Sequence, residues 1–150
     1  MKRYKVIEVI NLYMETIQVK IGWSGKNYSC VADDKALNGL IIVTNKTLEG
    51  LKKDFEESLQ FHIEGCIRGG DKLPEWLSTG NYKIEYIFEI SALLHSLDGI
   101  LTCSAIARVS GINKRQIEHY ATGLRMPRTV QRNRIVNAIH KISEELSIVM

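Results

Sequence analysis

Apolar and polar residues alternate from Ile17 onward: Ile17, Val19, Ile21 and Trp23 share one side, and after Ser24-Gly25-Lys26-Asn27 the alternation resumes with Tyr28, Cys30 and Ala32. A period of two sends successive side chains to opposite faces of a strand, so residues 16–33 are predicted as a β-hairpin. A third strand, Leu40–Thr44, follows the Asn38-Gly39 turn signal. The period then becomes helical from about Thr47 to Cys66. Leu48, Leu51, Phe55, Leu59 and Ile63 form one stripe, Glu49, Lys52, Lys53, Asp54, Glu56 and Glu57 fill the other side, and Asn45 or Thr47 is the N-cap.

A glycine-rich link, Arg68-Gly69-Gly70-Asp71, leads through Leu73-Pro74 to Trp76 and Leu77, two apolar anchors that pin it to the domain. Alternation returns at Tyr82, Ile84, Tyr86, Phe88 and Ile90, with Lys83, Glu85 and Glu89 opposite. The order βββαβ predicts an α+β domain of one sheet and one helix over residues 1–90.

From Ser91 the pattern is entirely helical. A first helix carries Ala92, Leu93, Leu94 and Leu97 and ends at Asp98-Gly99; a second is N-capped by Thr102 and turns Ile106 and Val109 inward, with Ala107 small enough for a close helix contact. Gly111 falls where a turn needs positive φ. Asn113 caps a third helix with Ile117 and Tyr120 inward, which leaves Lys114, Arg115, Gln116 and His119 at its outer, N-terminal end. Gly123 and Pro127 stop that helix, and a final stripe of Ile135, Ile139, Ile142, Leu146 and Val149 closes the bundle. Residues 91–150 are thus a second, all-α domain.

Charge separates the two halves. Residues 1–90 carry 12 Lys/Arg against 13 Asp/Glu, and residues 91–150 carry 8 against 4. Between Arg108 and Arg134, Arg108, Lys114, Arg115, Arg125, Arg128, Arg132 and Arg134 meet one acid, Glu118. Such a field attracts polyanions. Combined with the spacing from Ala107 to Pro127, and with long donors and amides that can reach base edges in a major groove, it points to a helix-turn-helix that reads double-stranded DNA.

Other chemistries find little footing. Cys30, Cys66 and Cys103 are far apart, so reduced thiols are expected rather than a disulfide framework or zinc ribbon. Asp33-Asp34 and the His62/Cys66 pair fall short of a metal site for want of a third ligand, and no metal or cofactor is expected. No nucleophile elbow, P-loop or dinucleotide fingerprint occurs, and the adjacent Glu56 and Glu57 project in different directions; no catalytic residue is assigned and the chain is not read as an enzyme. No apolar run approaches a membrane span, the sequons at Asn27 and Asn45 matter only in a secreted protein, and a cytoplasmic location is expected.

The stretch LDGILTCSAIARVSGINKRQIEHYATGLRMPRTVQRNRIVNAIHKISEEL resembles the lambda-repressor-like (Xre-type) helix-turn-helix carried by one variant of the HicB-type antitoxins of toxin–antitoxin modules. YSCVADDKALNGLIIVTNKTLEGLKKDFEESLQFHIEG is similar to that family's N-terminal domain in its order of strand, loop, strand and Thr-opened helix, with Lys35-Ala36-Leu37-Asn38-Gly39 replacing the usual Pro-Asp-Leu-Pro-Gly loop. The resemblance starts near Met14 and leaves residues 1–13 as an extension or a misassigned start. It implies a cut-down RNase H-like domain without catalytic carboxylates, binding a small RNA-cleaving HicA-like toxin. It also implies a homodimer or higher homo-oligomer that reads a palindromic operator and represses its own operon. On this resemblance Lys114, Arg115, Gln116 and His119 fall at base-reading positions, and Thr102, Thr122, Arg125 and Arg128 at phosphate contacts. The alternative is a solitary helix-turn-helix regulator whose N-terminal domain dimerises or senses a ligand.

Overall fold

A computed structural model describes residues 14–149; residues 1–13, expected as an extension or a misassigned start, lie outside the described residues. The architecture is α+β, a four-stranded mixed sheet followed by helices. The strands are β1 (Glu15–Trp23), β2 (Tyr28–Ala32), β3 (Ile41–Asn45) and β4 (Tyr82–Phe88), and the helices α1 (Leu48–Gly69), α2 (Glu75–Ser78), α3 (Ile90–Ser96), α4 (Cys103–Ser110), α5 (Lys114–Ala121) and α6 (Thr129–Ser147). Two compact units result. One holds the described residues up to Ile21 together with Ser29–Ile87, and the other holds Gly22–Tyr28 together with the chain from Phe88 on.

In the first unit the strand order is β3-β2-β1-β4, so α1 crosses back before β4 pairs with β1 and β3 stays at an edge. The odd-numbered apolar positions Ile17, Val19 and Ile21 of β1 are fully buried, as are Cys30 and Ala32 of β2 and Leu51 and Phe55 of α1. Burying each large side chain here is worth roughly 1.5–3 kcal/mol. Thr47 is the N-cap of α1: its hydroxyl accepts from the Gly50 N–H at 3.1 Å. Asn45 supports it, its Oδ1 accepting from the Thr47 N–H at 2.9 Å while its Nδ2 donates to Asp54 at 2.7 Å.

His62 has a structural partner. Its Nε2 stands 2.6 Å from the Leu37 carbonyl, which requires that nitrogen to donate and ties α1 to the single-turn 3₁₀ helix Lys35–Leu37. Asp34 is likewise used, its Oδ1 capping that turn by accepting from the Ala36 N–H. Among the described residues no three His, Cys, Asp or Glu side chains gather as a metal site.

The second unit is built on Ile90, Leu94, Ile106, Ile112, Ile117, Tyr120 and Ile135. The hairpin end joins this core through polar and aromatic contacts. The Trp23 N–H donates to Ser91 Oγ at 3.1 Å, the Trp23 ring stacks on His95 with centroids 3.5 Å apart and planes at 7°, and Tyr28 meets both rings edge-on. Gly123 closes on the same segment. It has φ +76°, and a Cβ there would sit 2.7 Å from the Trp23 carbonyl oxygen.

Several boundaries differ from the sequence reading. Helix α1 runs on to Gly69, and the link after it folds into the one-turn α2, which buries Leu77. Strand β4 stops at Phe88, and Ile90 opens α3 and enters the second core instead of continuing the sheet. Val109 is only half-buried. The stripe of α6 covers less than its period suggests: Ile135 and Ala138 are buried, but Leu146 and Val149 are exposed.

Gly123→Ala is expected to destabilise the protein by more than the roughly 1–2 kcal/mol that left-handed backbone alone costs an L-residue. Gly99 has φ +78° with open space around it, so Gly99→Ala should show the backbone cost alone. Urea unfolding of the two variants compares them, and equal losses would mean that the contact with Trp23 relaxes freely.

Candidate nucleic-acid interface

Two eight-residue helices, α4 and α5, are joined by Gly111-Ile112-Asn113. Thr102 caps α4, its hydroxyl accepting from the Ala105 N–H at 3.1 Å. The helix ends at Gly111, whose φ of +70° turns the chain and whose missing side chain leaves room for Arg134: a Cβ would lie 3.0 Å from Arg134 Nη2. That nitrogen donates to the Ser110 carbonyl at 2.9 Å, satisfying an acceptor that the helix end leaves free. Ile112 plugs the core, and Asn113 Oδ1 accepts from the Arg115 N–H at 2.9 Å to start α5.

Ile117 and Tyr120 then set the rotation of α5 by being buried. Lys114, Arg115 and Glu118 project outward, whereas Gln116 and His119 are half-buried. Gln116 is engaged, its Nε2 donating to Tyr120 Oη at 2.7 Å, and Lys114 Nζ lies 3.6 Å from Glu118 Oε1. That pair is exposed and worth at most about 1 kcal/mol, so Lys114 can exchange it for another anion at little cost. Arg115 has no side-chain hydrogen bond or ion pair among the described residues and is the freest donor of the four.

The other assigned positions divide into two groups. Thr102 and Thr122 line a cleft of about 640 Å³ together with Lys114, over a floor that includes Trp23, Leu94 and Ile106. Arg125 and Arg128 stand exposed in the loop before α6 and outside that cleft. Thr122 ends α5, its hydroxyl donating to the His119 carbonyl at 3.2 Å. Asp98 and Glu118 also line the cleft, so its walls are of mixed sign.

The basic run is therefore partly structural. Arg132 donates to the Phe88 carbonyl at 3.2 Å and Arg134 to Ser110, which leaves Arg108, Arg115, Arg125 and Arg128 as its exposed arginines without such a tie among the described residues. Cys103 lines the same cleft. Burial pushes its thiol above the usual range, and Glu118 adds to the effect, so it is a poor nucleophile at neutral pH. The contribution of Trp23 to this unit escaped the sequence reading, which placed it with the sheet; a large aromatic at a strand end beside a turn was the only signal.

No family model matches the chain, and neither a curated protein nor a solved structure matches it.

Removing a side-chain cap leaves an N–H unpaired, so Asn113→Ala is expected to lower stability by about 1 kcal/mol while Asn113→Ser retains most of it. Chemical denaturation of the two variants tests this. Equal behaviour would show that the bond to Arg115 contributes nothing to starting α5.

Proposed function

We propose that the chain is a DNA-binding antitoxin of the HicB type, with α4 and α5 acting as a helix-turn-helix and α5 as its recognition helix. The observation that carries the DNA reading is the α4–turn–α5 geometry: a left-handed glycine, a buried Ile112 and a capped α5 whose N-terminal turn displays Lys114 and Arg115. A helix presented this way can enter a major groove by its N-terminal end, with guanidinium and ammonium groups reaching guanine O6 and N7.

In this reading Arg115 carries base discrimination. Lys114 joins it after leaving Glu118, Gln116 contributes from the edge of the same turn, and His119 from the next turn. Thr102, Thr122, Arg125 and Arg128 hold phosphates. Two copies bound to one palindrome would place their recognition helices about 34 Å apart, one DNA turn. The apolar side chains left open at the end of α6, Leu146, Ile148 and Val149, suit such pairing. The N-terminal α+β unit would bind a HicA-like RNA-cleaving toxin, and the complex would repress its own operon from within the cytoplasm. No helix among the described residues is long and apolar enough to cross a membrane.

Arg115→Ala should cost about 1–3 kcal/mol on the operator and relax its sequence preference, whereas Arg128→Ala should weaken all DNA alike and lower the salt slope by about one unit. Titrations of operator and random duplexes at several salt concentrations separate the two, and equal losses on both DNAs for Arg115→Ala would reject its base-reading role.

Co-expression with the product of the neighbouring small reading frame is expected to give a stable complex and to restore growth. If no partner binds and growth is unchanged while DNA binding persists, the chain is instead a solitary regulator.

A further inference from the structure

We propose that the free edge of β3, together with the groove between it and α1, receives an extended cationic strand from a partner protein. This rests on the reading that the N-terminal unit meets a protein partner, and it names the surface and the chemistry of that contact.

β3 is an outer strand of the sheet, so the outward backbone groups of one side have no strand neighbour. Exposed edges are normally guarded by lysine, proline or a bulge. The run Leu40-Ile41-Ile42-Val43 has neither lysine nor proline, and Leu40 and Ile42 are 56% and 59% exposed. Phe61 on α1 is 71% exposed and off the buried stripe. These residues are brought together: Leu40, Ile41, Ile42 and Phe61 line one groove of about 400 Å³. A second hollow, of about 470 Å³, shares Ser58 and Phe61 with it.

Charge selects the occupant. The two hollows are lined by Asp54, Glu57 and Asp71 and by no lysine or arginine. A second copy docked edge to edge would set one acidic rim against another, which is unfavourable, whereas a strand with alternating cationic and apolar side chains satisfies both features. Its backbone would extend the sheet; its Lys or Arg, on the side of α1, would lay their stems over Phe61 and reach the carboxylates, and its apolar side chains, on the opposite face, would cover Leu40 and Ile42.

The test uses the full-length ¹⁵N-labelled protein titrated with three end-blocked peptides followed by NMR: an alternating Lys-Val heptapeptide, its Glu-Val counterpart, and the Lys-Val peptide N-methylated at alternate amides. The expected result is shifts confined to Leu40–Val43 and the helix face around Phe61. Affinity should fall about tenfold or more for the Glu-Val and N-methylated peptides and for the Phe61→Asn and Glu57→Lys variants, both at exposed sites that keep the fold.

Equal binding of the acidic peptide, indifference to N-methylation, shifts elsewhere, or no shift at millimolar peptide would each overturn the proposal. So would a homo-oligomer that dissociates on Phe61→Asn in sedimentation, because the occupant would then be a second copy. A failed growth rescue with peptide binding intact overturns the toxin reading alone; rescue without peptide binding overturns the edge proposal alone.

Discussion

The burial of Ile117 and Tyr120 decides what α5 can do. These side chains lie one turn apart and enter a core shared with Ile90, Leu94, Ile106, Ile112 and Ile135, so the rotation of the helix is fixed by packing rather than by any ligand. Once they point inward, Lys114, Arg115 and Glu118 must point out. Rotating the helix by one residue would expose Ile117 and bury either Glu118 or Gln116 with His119. The desolvation cost of that exchange far exceeds what a surface ion pair could return. The outward display of Arg115 is thus a consequence of the core, and it is in place before any partner arrives.

This part of the molecule was legible in the sequence because its signals are local. A glycine two residues before a capping asparagine, an isoleucine between them, and inward positions three residues apart need no distant information. The α1 stripe and the hairpin alternation are of the same kind. The rest depends on contacts between residues far apart in the chain. Trp23 alternates in phase with β1, so the pattern assigns it to the sheet, yet its N–H finds Ser91 Oγ and its ring finds His95. Periodicity also overstates α6: Leu146 and Val149 keep the helical spacing, but spacing cannot reveal whether a neighbour extends far enough to cover them.

The charge pattern shows a similar division. Counting cations between Arg108 and Arg134 gives one block of positive charge, but Arg134 satisfies the end of α4 and Arg132 holds the Phe88 carbonyl. Their charges still add to the field, although their hydrogen bonds are committed. Donor geometry is therefore confined to fewer side chains than electrostatic attraction. Attraction comes from the whole set, while directed contact is left to the few that are free, Arg115 foremost.

The groove beside β3 and the exposed arginines around α5 carry opposite local charge, and salt makes this separation effective. At physiological ionic strength charges are screened beyond about 8 Å, so a partner responds to the side chains it meets and not to the chain's net charge of +3. Asp54, Glu57 and Asp71 around the β3 edge would repel phosphates while favouring a cationic strand; Arg115, Arg125 and Arg128 would do the reverse. On the proposed reading this segregation keeps the two contacts apart, because neither surface attracts the partner of the other.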